Sequence, residues 1–304
     1  MIITKTTMAL CLSLCIYKYS HTQNYFYNNQ YYDQDFLFEM NASVGAMNCL
    51  TDIGGKKGLG KGFLKDFSPS NTRLCGGISG GMVYRYTLGL RLDLTLGSIA
   101  ASDEVLRNDE SEGKYRYKRN LSFRTGIAEC TLLGELYPLV WLIDSKRFLL
   151  SPYITGGIGV FYFKPRAALN GEWVDLKPLH TEGQGFAEYP DRIPYRLTQI
   201  NFPVGAGLKY DVSASTSIRL EVLYRFTNTD YLDDVSTSYI DPSLFGRYLS
   251  PDNAALALQL HDRQGELDPS HVTAPGSIRG RSSKNDGYFS LQFKLGVIMG
   301  RKRR

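Results

Sequence analysis

The sequence predicts an all-β protein, an eight-stranded antiparallel up-and-down transmembrane β-barrel with long extracellular loops. Three observations carry this expectation. Apolar and polar residues alternate in segment after segment, which is the period of a strand. The connections between segments are alternately long and short. The charges of the segments gather on one face, and the other face is apolar along its length. Composition agrees: the 304 residues are 43% hydrophobic and include 30 Gly, 21 Tyr and 15 Phe, which is poor helix material and good strand material. Mean hydropathy is -0.24, and no stretch reaches the roughly 18 consecutive apolar residues of a spanning helix. The apolar content is also too high for a disordered chain.

The N-terminus reads as a secretory signal over residues 1–22. Lys5 precedes a short apolar run, Met8 to Ile16, followed by polar Lys18 to Gln23, and such a run is too short to span a membrane as a helix. A lipoprotein signal ending at Cys15 is the alternative, although Leu14 is bulky for that role. The expected order is then an N-terminal segment 23–34, a barrel 35–299 and a basic tail 300–304. Removing the signal takes away Lys5 and Lys18 and no acids. The final Arg301-Lys302-Arg303-Arg304 holds four more of the 35 basic residues, against 30 acidic ones. The body is therefore close to neutral, which excludes the clustered basic face of a nucleic-acid binder.

The first segment, 36–47, sets Phe36, Phe38, Met40, Ala42 and Val44 against Leu37, Glu39, Asn41, Ser43 and Gly45. The second, 74–86, sets Leu74, Ile78, Met82, Tyr84 and Tyr86 against Cys75, Gly77, Ser79, Gly81 and Arg85. The third has Leu at 88, 90, 92, 94 and 96, with Arg91 and Asp93 between. The fourth, 121–135, starts with Leu121 and Phe123 on the apolar face but loses phase near Glu129, so a bulge or a displaced boundary is expected. The fifth, 150–163, places Ile154, Ile158, Val160 and Tyr162 opposite Tyr153 and Thr155. The sixth, 199–210, the seventh, 217–227, and the eighth, 288–297, alternate cleanly.

Residues 48–73, 98–120, 164–198 and 228–287 form long connections, whereas Thr87, 136–149 and 211–216 are shorter. Outer-membrane barrels carry long loops at one end and short turns at the other, with an even strand count. The apolar faces place Phe36, Phe38, Tyr84, Tyr86 and Tyr210 at the short-turn end. Phe123, Tyr162, Tyr224, Phe226 and Phe289 fall at the long-loop end, with aliphatic residues between. Two aromatic belts around an aliphatic band match the girdles of a membrane barrel, so outer-membrane lipid is the expected partner of this face. The charges Glu39, Arg85, Arg91, Asp93, Lys209, Arg219, Glu221, Arg225 and Lys294 would then point inward. Eight strands leave a lumen just wide enough for side chains, and the mixed signs predict a paired, filled interior. Glu39 with Lys294 and Lys209 with Glu221 are the expected pairs.

Chemistry-bearing motifs are few. Gly77-Ile78-Ser79-Gly80-Gly81 matches a nucleophile elbow, but that motif needs a strand, a sharp turn and a helix, and here it lies inside a strand. No catalytic, cofactor-binding or metal residues are expected. Cys49, Cys75 and Cys130 lack zinc spacing, and His180, His261 and His271 fall in loops without a second ligand beside them. Cys49 and Cys75 flank the first long loop on one face, and either a disulfide or two separate thiols fits that position. Asp230, Asp233 and Asp234 enter the largest loop. They read as turn-forming residues, with a cation site or a hydrolytic acid pair as alternatives. Residues 252–262 read as a short helix capped by Asp252.

Two loop motifs suggest a family. Thr229-Asp230-Tyr231-Leu232-Asp233-Asp234-Val235-Ser236 resembles the TDYLDDVS signature of PorG-like outer-membrane proteins. Pro178 to Gly185, containing Thr181-Glu182-Gly183-Gln184-Gly185, resembles the TEGQG loop of the same family. Gly159 to Pro165, Leu121 to Arg124, Pro203 to Tyr210 and Arg279-Gly280 follow in the same pattern. The resemblance runs from about residue 34 to 299. It implies an outer-membrane barrel of a Gram-negative envelope and an accessory or anchoring role in type IX protein secretion. It also implies contact with a periplasmic ring lipoprotein and its partner, and it supplies no cofactor and no catalytic residue. Two features depart from the pattern: Gly287 replaces an aromatic, and a basic tail replaces the terminal aromatic. An outer-membrane hydrolase with an acidic mouth, and a structural or adhesive barrel without a secretion role, are the competing readings.

Overall fold

The computed structural model describes residues 31–54, 69–107, 113–139 and 150–303. The expected signal peptide, most of the 23–34 segment, residues 140–149 and Arg304 lie outside these. Eight long strands form the barrel: β1 (Tyr31–Leu50), β2 (Arg73–Tyr84), β3 (Leu88–Ser102), β4 (Ser122–Leu136), β5 (Leu150–Leu169), β7 (Thr198–Asp211), β8 (Thr216–Thr227) and β9 (Gly287–Arg303). A ninth, β6 (Glu172–Asp175), hairpins back onto the end of β5. Each barrel strand pairs antiparallel with its sequence neighbour in the barrel, and β1 pairs with β9 to close the ring. Closure removes the unpaired backbone of sheet edges.

Alternation decides which way side chains face. In β3, Leu90, Leu92, Leu94 and Leu96 point out while Arg91, Asp93 and Thr95 are buried. The outer surface is an unbroken apolar band, with residues such as Val44, Ile154, Val222 and Leu295 more than half exposed. Water does not reward that arrangement, since leaving a large aliphatic side chain exposed forgoes about 1.5–3 kcal/mol.

The fourth strand corrects the expected loss of phase. β4 alternates without a break, and its inward face is Phe123, Thr125, Ile127, Glu129, Thr131, Leu133 and Glu135. Leu121 and Phe123 are therefore interior, and Phe123 does not belong to the outer aromatic belt. Apolar side chains occupy this end of the lumen because the loops fold into it, so hydrophobicity ceases to mark the outer face there. Arg85 and Tyr86 are also corrected. Both adopt left-handed backbone (φ 46° and 59°) in the tight β2–β3 turn, which suits a hairpin, and Arg85 pairs with Asp35 in the open instead of pointing inward.

The two ends differ from expectation in one respect. β1 starts at Tyr31 and β9 runs to Arg303, with Tyr31 opposite Arg303 after an irregularity between Asp33 and Phe38. The sequence 300–303 is strand, not a solvated tail. Arg301 is buried against Asp211 at 2.7 Å and donates to the Tyr86 hydroxyl. The short α1 (Gly113–Arg119) lies between β3 and β4, and α2 (Phe245–Tyr248) and α3 (Pro251–Leu260) lie between β8 and β9. The cap of α3 is Ser250, which accepts from the Asn253 amide, because Pro251 takes the first helical position ahead of Asp252.

Candidate functional site

Charged and polar side chains crowd the described part of the lumen. Glu39, Arg91, Asp93, Lys209, Arg219, Glu221, Arg225 and Lys294 all face inward and are buried, as expected. Their partners differ from the expected ones. Lys209 and Arg219 both hold Glu39, at 2.7 and 2.5 Å. Lys294 holds Asp93 at 2.7 Å and Glu221 at 2.9 Å. Arg91 bridges Asp93, Glu135 and Glu221, and Arg219 also reaches Glu135 at 2.9 Å. The register explains the exchange: Glu39 lies opposite Ile298 and Lys294 opposite Ser43, so the two are offset by four residues, about 13 Å along the seam. Lys209 and Arg219 therefore reach past the adjacent strand to Glu39, and Lys294 to Asp93, whereas Lys294 with Glu221 and Arg91 with Glu135 join adjacent strands. The middle of the barrel thus pairs four carboxylates with four cations, and Arg225 with Glu129 adds a further pair nearer the loops.

Small residues make room for this. A Cβ on Gly207 would come within 2.5 Å of the Tyr153 hydroxyl, which donates to Glu221 at 2.8 Å. The elbow-like Gly77–Gly81 sits inside β2. Its Ser79 faces the lumen and accepts from Asn41 at 3.2 Å, so it has no elbow geometry.

At the long-loop end the two loop motifs converge. Glu182, fully buried, accepts from the amides of Ser236 and Thr237 at 3.0 Å each and from the Thr237 hydroxyl at 2.7 Å. Arg279 pairs with the same carboxylate at 3.0 Å and donates to the Asp234 carbonyl at 2.7 Å. Asp234, left-handed at φ 64°, accepts from the hydroxyls of Thr181 and Tyr195 at 2.5 and 2.6 Å. Asp233 accepts from the amides of Ile53 and Val235. The Thr229 hydroxyl accepts from the Tyr231 amide, and Tyr231 stacks on Tyr195 with centroids 4.8 Å apart. Gln184 accepts from the Glu182 amide. Gly183 and Gly185 both require positive φ, at 72° and 85°, which other residues adopt only with strain. At Gly280, a Cβ would crowd Val235, Ser236 and Asp52. Thr125 of the β4 wall donates to the Leu232 carbonyl at 2.6 Å and ties this knot to the barrel.

Sequence reasoning missed several members of the knot. Arg119 pairs with Asp103 at 2.8 Å and donates to the carbonyls of Asp52 and Arg279. It hid in the charged run of α1, where its neighbours are exposed. Asp286 accepts from the Leu232 amide, and Asp52 from the Arg281 amide at 2.5 Å. The buried carboxyls crowd one another. Burial first, and neighbouring carboxylates next, push Asp233 up to about 8, while burial is the largest cause of Asp230 rising to about 8 and Asp234 to about 6. His180 and His261 sit in the loops, and burial pushes both down.

Among the described residues no group of three or more His, Cys, Asp or Glu could hold a metal ion. Of the two readings left open for Cys49 and Cys75, the separate thiols hold. Cys49 and Cys75 are separate buried thiols, because Cys75 lies opposite Gly45, four residues or about 13 Å along the strand from Cys49. That is far beyond the roughly 7 Å that a disulfide spans. At Gly287 a Cβ would collide with the Tyr224 hydroxyl.

No family model and no curated protein matches this chain. Solved structures with similarity include the N-terminal β-barrel domain of Pseudomonas aeruginosa OprF, 9% identical, covering 88% of this chain and 100% of that chain at a TM-score of 0.34. The outer membrane protein OprG from Pseudomonas aeruginosa is 9% identical, covering 88% of this chain and 97% of that chain at 0.36. Neisserial surface protein A is 10% identical, covering 88% and 98% at 0.35. Superpositions this loose leave the fold resting on the strand pairings of the chain itself, which define a closed eight-stranded antiparallel barrel.

Proposed function

We propose that the chain is a membrane-spanning, non-enzymatic barrel of a Gram-negative outer membrane that serves as an accessory or anchoring component of type IX protein secretion. The observation that carries the membrane reading is the inversion of polarity: an apolar outer band surrounds a lumen of paired charges. Such a surface is stable where lipid covers it. The sealed lumen favours an anchor over a pore. The secretion role rests on the paired loop motifs, whose residues meet in one buried knot.

A structural or adhesive barrel without a secretion role is the second reading. It is favoured by the same knot, since the motif residues are buried and hold the loops to one another. The test is co-purification of the full chain with periplasmic ring proteins, together with deletion of its gene. Recovery of the ring and loss of cargo export support the secretion role; unchanged export and no ring refute it. Porin-scale conductance in planar bilayers would refute the sealed anchor.

A further inference from the structure

A second feature lies on the outside of the barrel. A groove of about 610 Å³ runs along β4 between β3 and β5 and ends under β6. Its floor is made by outward Gly126 and Ala128, lower than the flanking Leu96 and Tyr162, which stand in register on either side of Ala128. Neighbouring strands are about 4.8 Å apart, so the two flanks stand nearly 10 Å from each other, wide enough to seat an acyl chain. The groove opens downward onto the apolar band.

Its upper rim is cationic. Lys164 faces Gly126 across the β4–β5 pairing, and Arg124 lies directly opposite Arg166. All three point outward, the first just above Tyr162 of the aromatic belt, which is the headgroup level of a membrane barrel. Two arginines directly opposite each other repel. Asp175 of β6 answers Lys164 at 2.6 Å and Arg166 at 2.7 Å, and Arg124 lies over the Trp173 ring at 5.8 Å. Among the lining residues and their ion-pair partners, three cations therefore meet one carboxylate. The excess is positive at a depth where a soluble protein has no reason to keep it and where a lipid offers a negative group.

We propose that this groove binds a lipid bearing a phosphomonoester headgroup in the leaflet at the long-loop end, with the phosphate between Arg124 and Arg166 and one acyl chain against Gly126 and Ala128. Guanidinium pairs suit phosphate because they donate two parallel hydrogen bonds, and Lys164 adds a point charge. The assignment rests on the membrane-spanning reading above, and the test separates the two.

The full chain carrying Trp141→Phe keeps Trp173 as its sole tryptophan, and Trp173 lines the groove. It is refolded into phosphatidylcholine vesicles containing a fixed small fraction of lipid brominated near the headgroup, either phosphatidylcholine or phosphatidic acid. Bromine quenches tryptophan on contact, so unequal quenching reads local enrichment. The expected enrichment of phosphatidic acid is about tenfold, from the attraction of the unmatched cations. It is lost in Arg124→Gln/Lys164→Gln/Arg166→Gln, whose folding is checked by its heat-modifiable electrophoretic mobility. Equal quenching by the two lipids overturns the proposal. So does enrichment that survives the triple substitution, and so does enrichment abolished by millimolar inorganic phosphate, which would mark a headgroup site without a groove. Absence of quenching when brominated phosphatidylcholine is the sole lipid strikes the membrane-spanning reading itself.

Discussion

Replacing Arg219 by Met tests whether the lumen is held by charge balance. Arg219 is 2% exposed and donates to Glu39 at 2.5 Å and to Glu135 at 2.9 Å, with its guanidinium 5.3 Å from the Tyr153 ring centroid. The substitution keeps most of the volume but leaves three cations facing four carboxylates. Removing one partner of a buried pair costs about 3–5 kcal/mol, chiefly because the remaining charge is stranded. Glu39 keeps Lys209 and Glu135 keeps Arg91, so the lower end of that range, about 3 kcal/mol, is expected. The measurement is urea unfolding of the refolded barrel in detergent micelles, followed by near-ultraviolet circular dichroism and gel mobility. The companion variant Glu39→Gln/Arg219→Met restores three cations against three carboxylates and should recover more than half of the loss. If Arg219→Met unfolds within about 1 kcal/mol of the parent, or if the companion is less stable than the single variant, charge balance does not hold the lumen together and the reasoning is wrong.

Four further outcomes are expected. Asp230, Asp233 and Asp234 have carboxyls raised in the folded state to about 8, 8 and 6, so the folded mouth binds more protons than the unfolded chain between pH 4 and 8. Its stability should fall as pH rises through that window, and limited proteolysis should cut the loops faster at pH 8 than at pH 5. Glu182→Gln strands Arg279 and weakens the acceptor of Ser236 and Thr237; loop cleavage should accelerate by about tenfold or more, while the strand content seen by circular dichroism stays unchanged. Gly207→Val drives a side chain into Tyr153 and should cost about 1–3 kcal/mol in the urea assay. Cys49 and Cys75 should each react with maleimide in the unfolded chain without prior reduction, and a need for reductant would overturn the register between β1 and β2.

Most of the barrel is legible in the sequence because its outer face carries apolar residues at every second position and its lumen carries polar ones. Leu88 to Leu96 and Phe289 to Val297 obey that rule without exception. It fails in β4, where Phe123 and Ile127 face inward under the loops and Gly126 and Ala128 lie outside, so residue type no longer reports side. Which charges face inward is also legible, since they share a phase. Which of them pair is not, because Glu39 and Arg219 meet across the lumen through tilt and register, quantities absent from any single strand. The loop knot was half legible. The motif residues from Thr181 to Gly185 and from Thr229 to Asp234 stand out in the sequence, but their acceptor roles depend on backbone amides that carry no sequence mark, and Arg119 and Asp286 look like ordinary surface charges.

The pairing of β1 with β9 carries a consequence for how the molecule comes into being. The seam joins residues 31–50 to residues 287–303, the two extremes of the folded chain. No partial product from the ribosome can make it, and contacts so distant in sequence are slow to form. Until Gly287–Arg303 has been delivered, β1 and β8 each present a bare row of amides and carbonyls flanked by exposed leucines and phenylalanines. Such edges invite pairing with other chains. The ring therefore stays open until the seventeen residues of β9 are in place, and folding is a race between ring closure and aggregation.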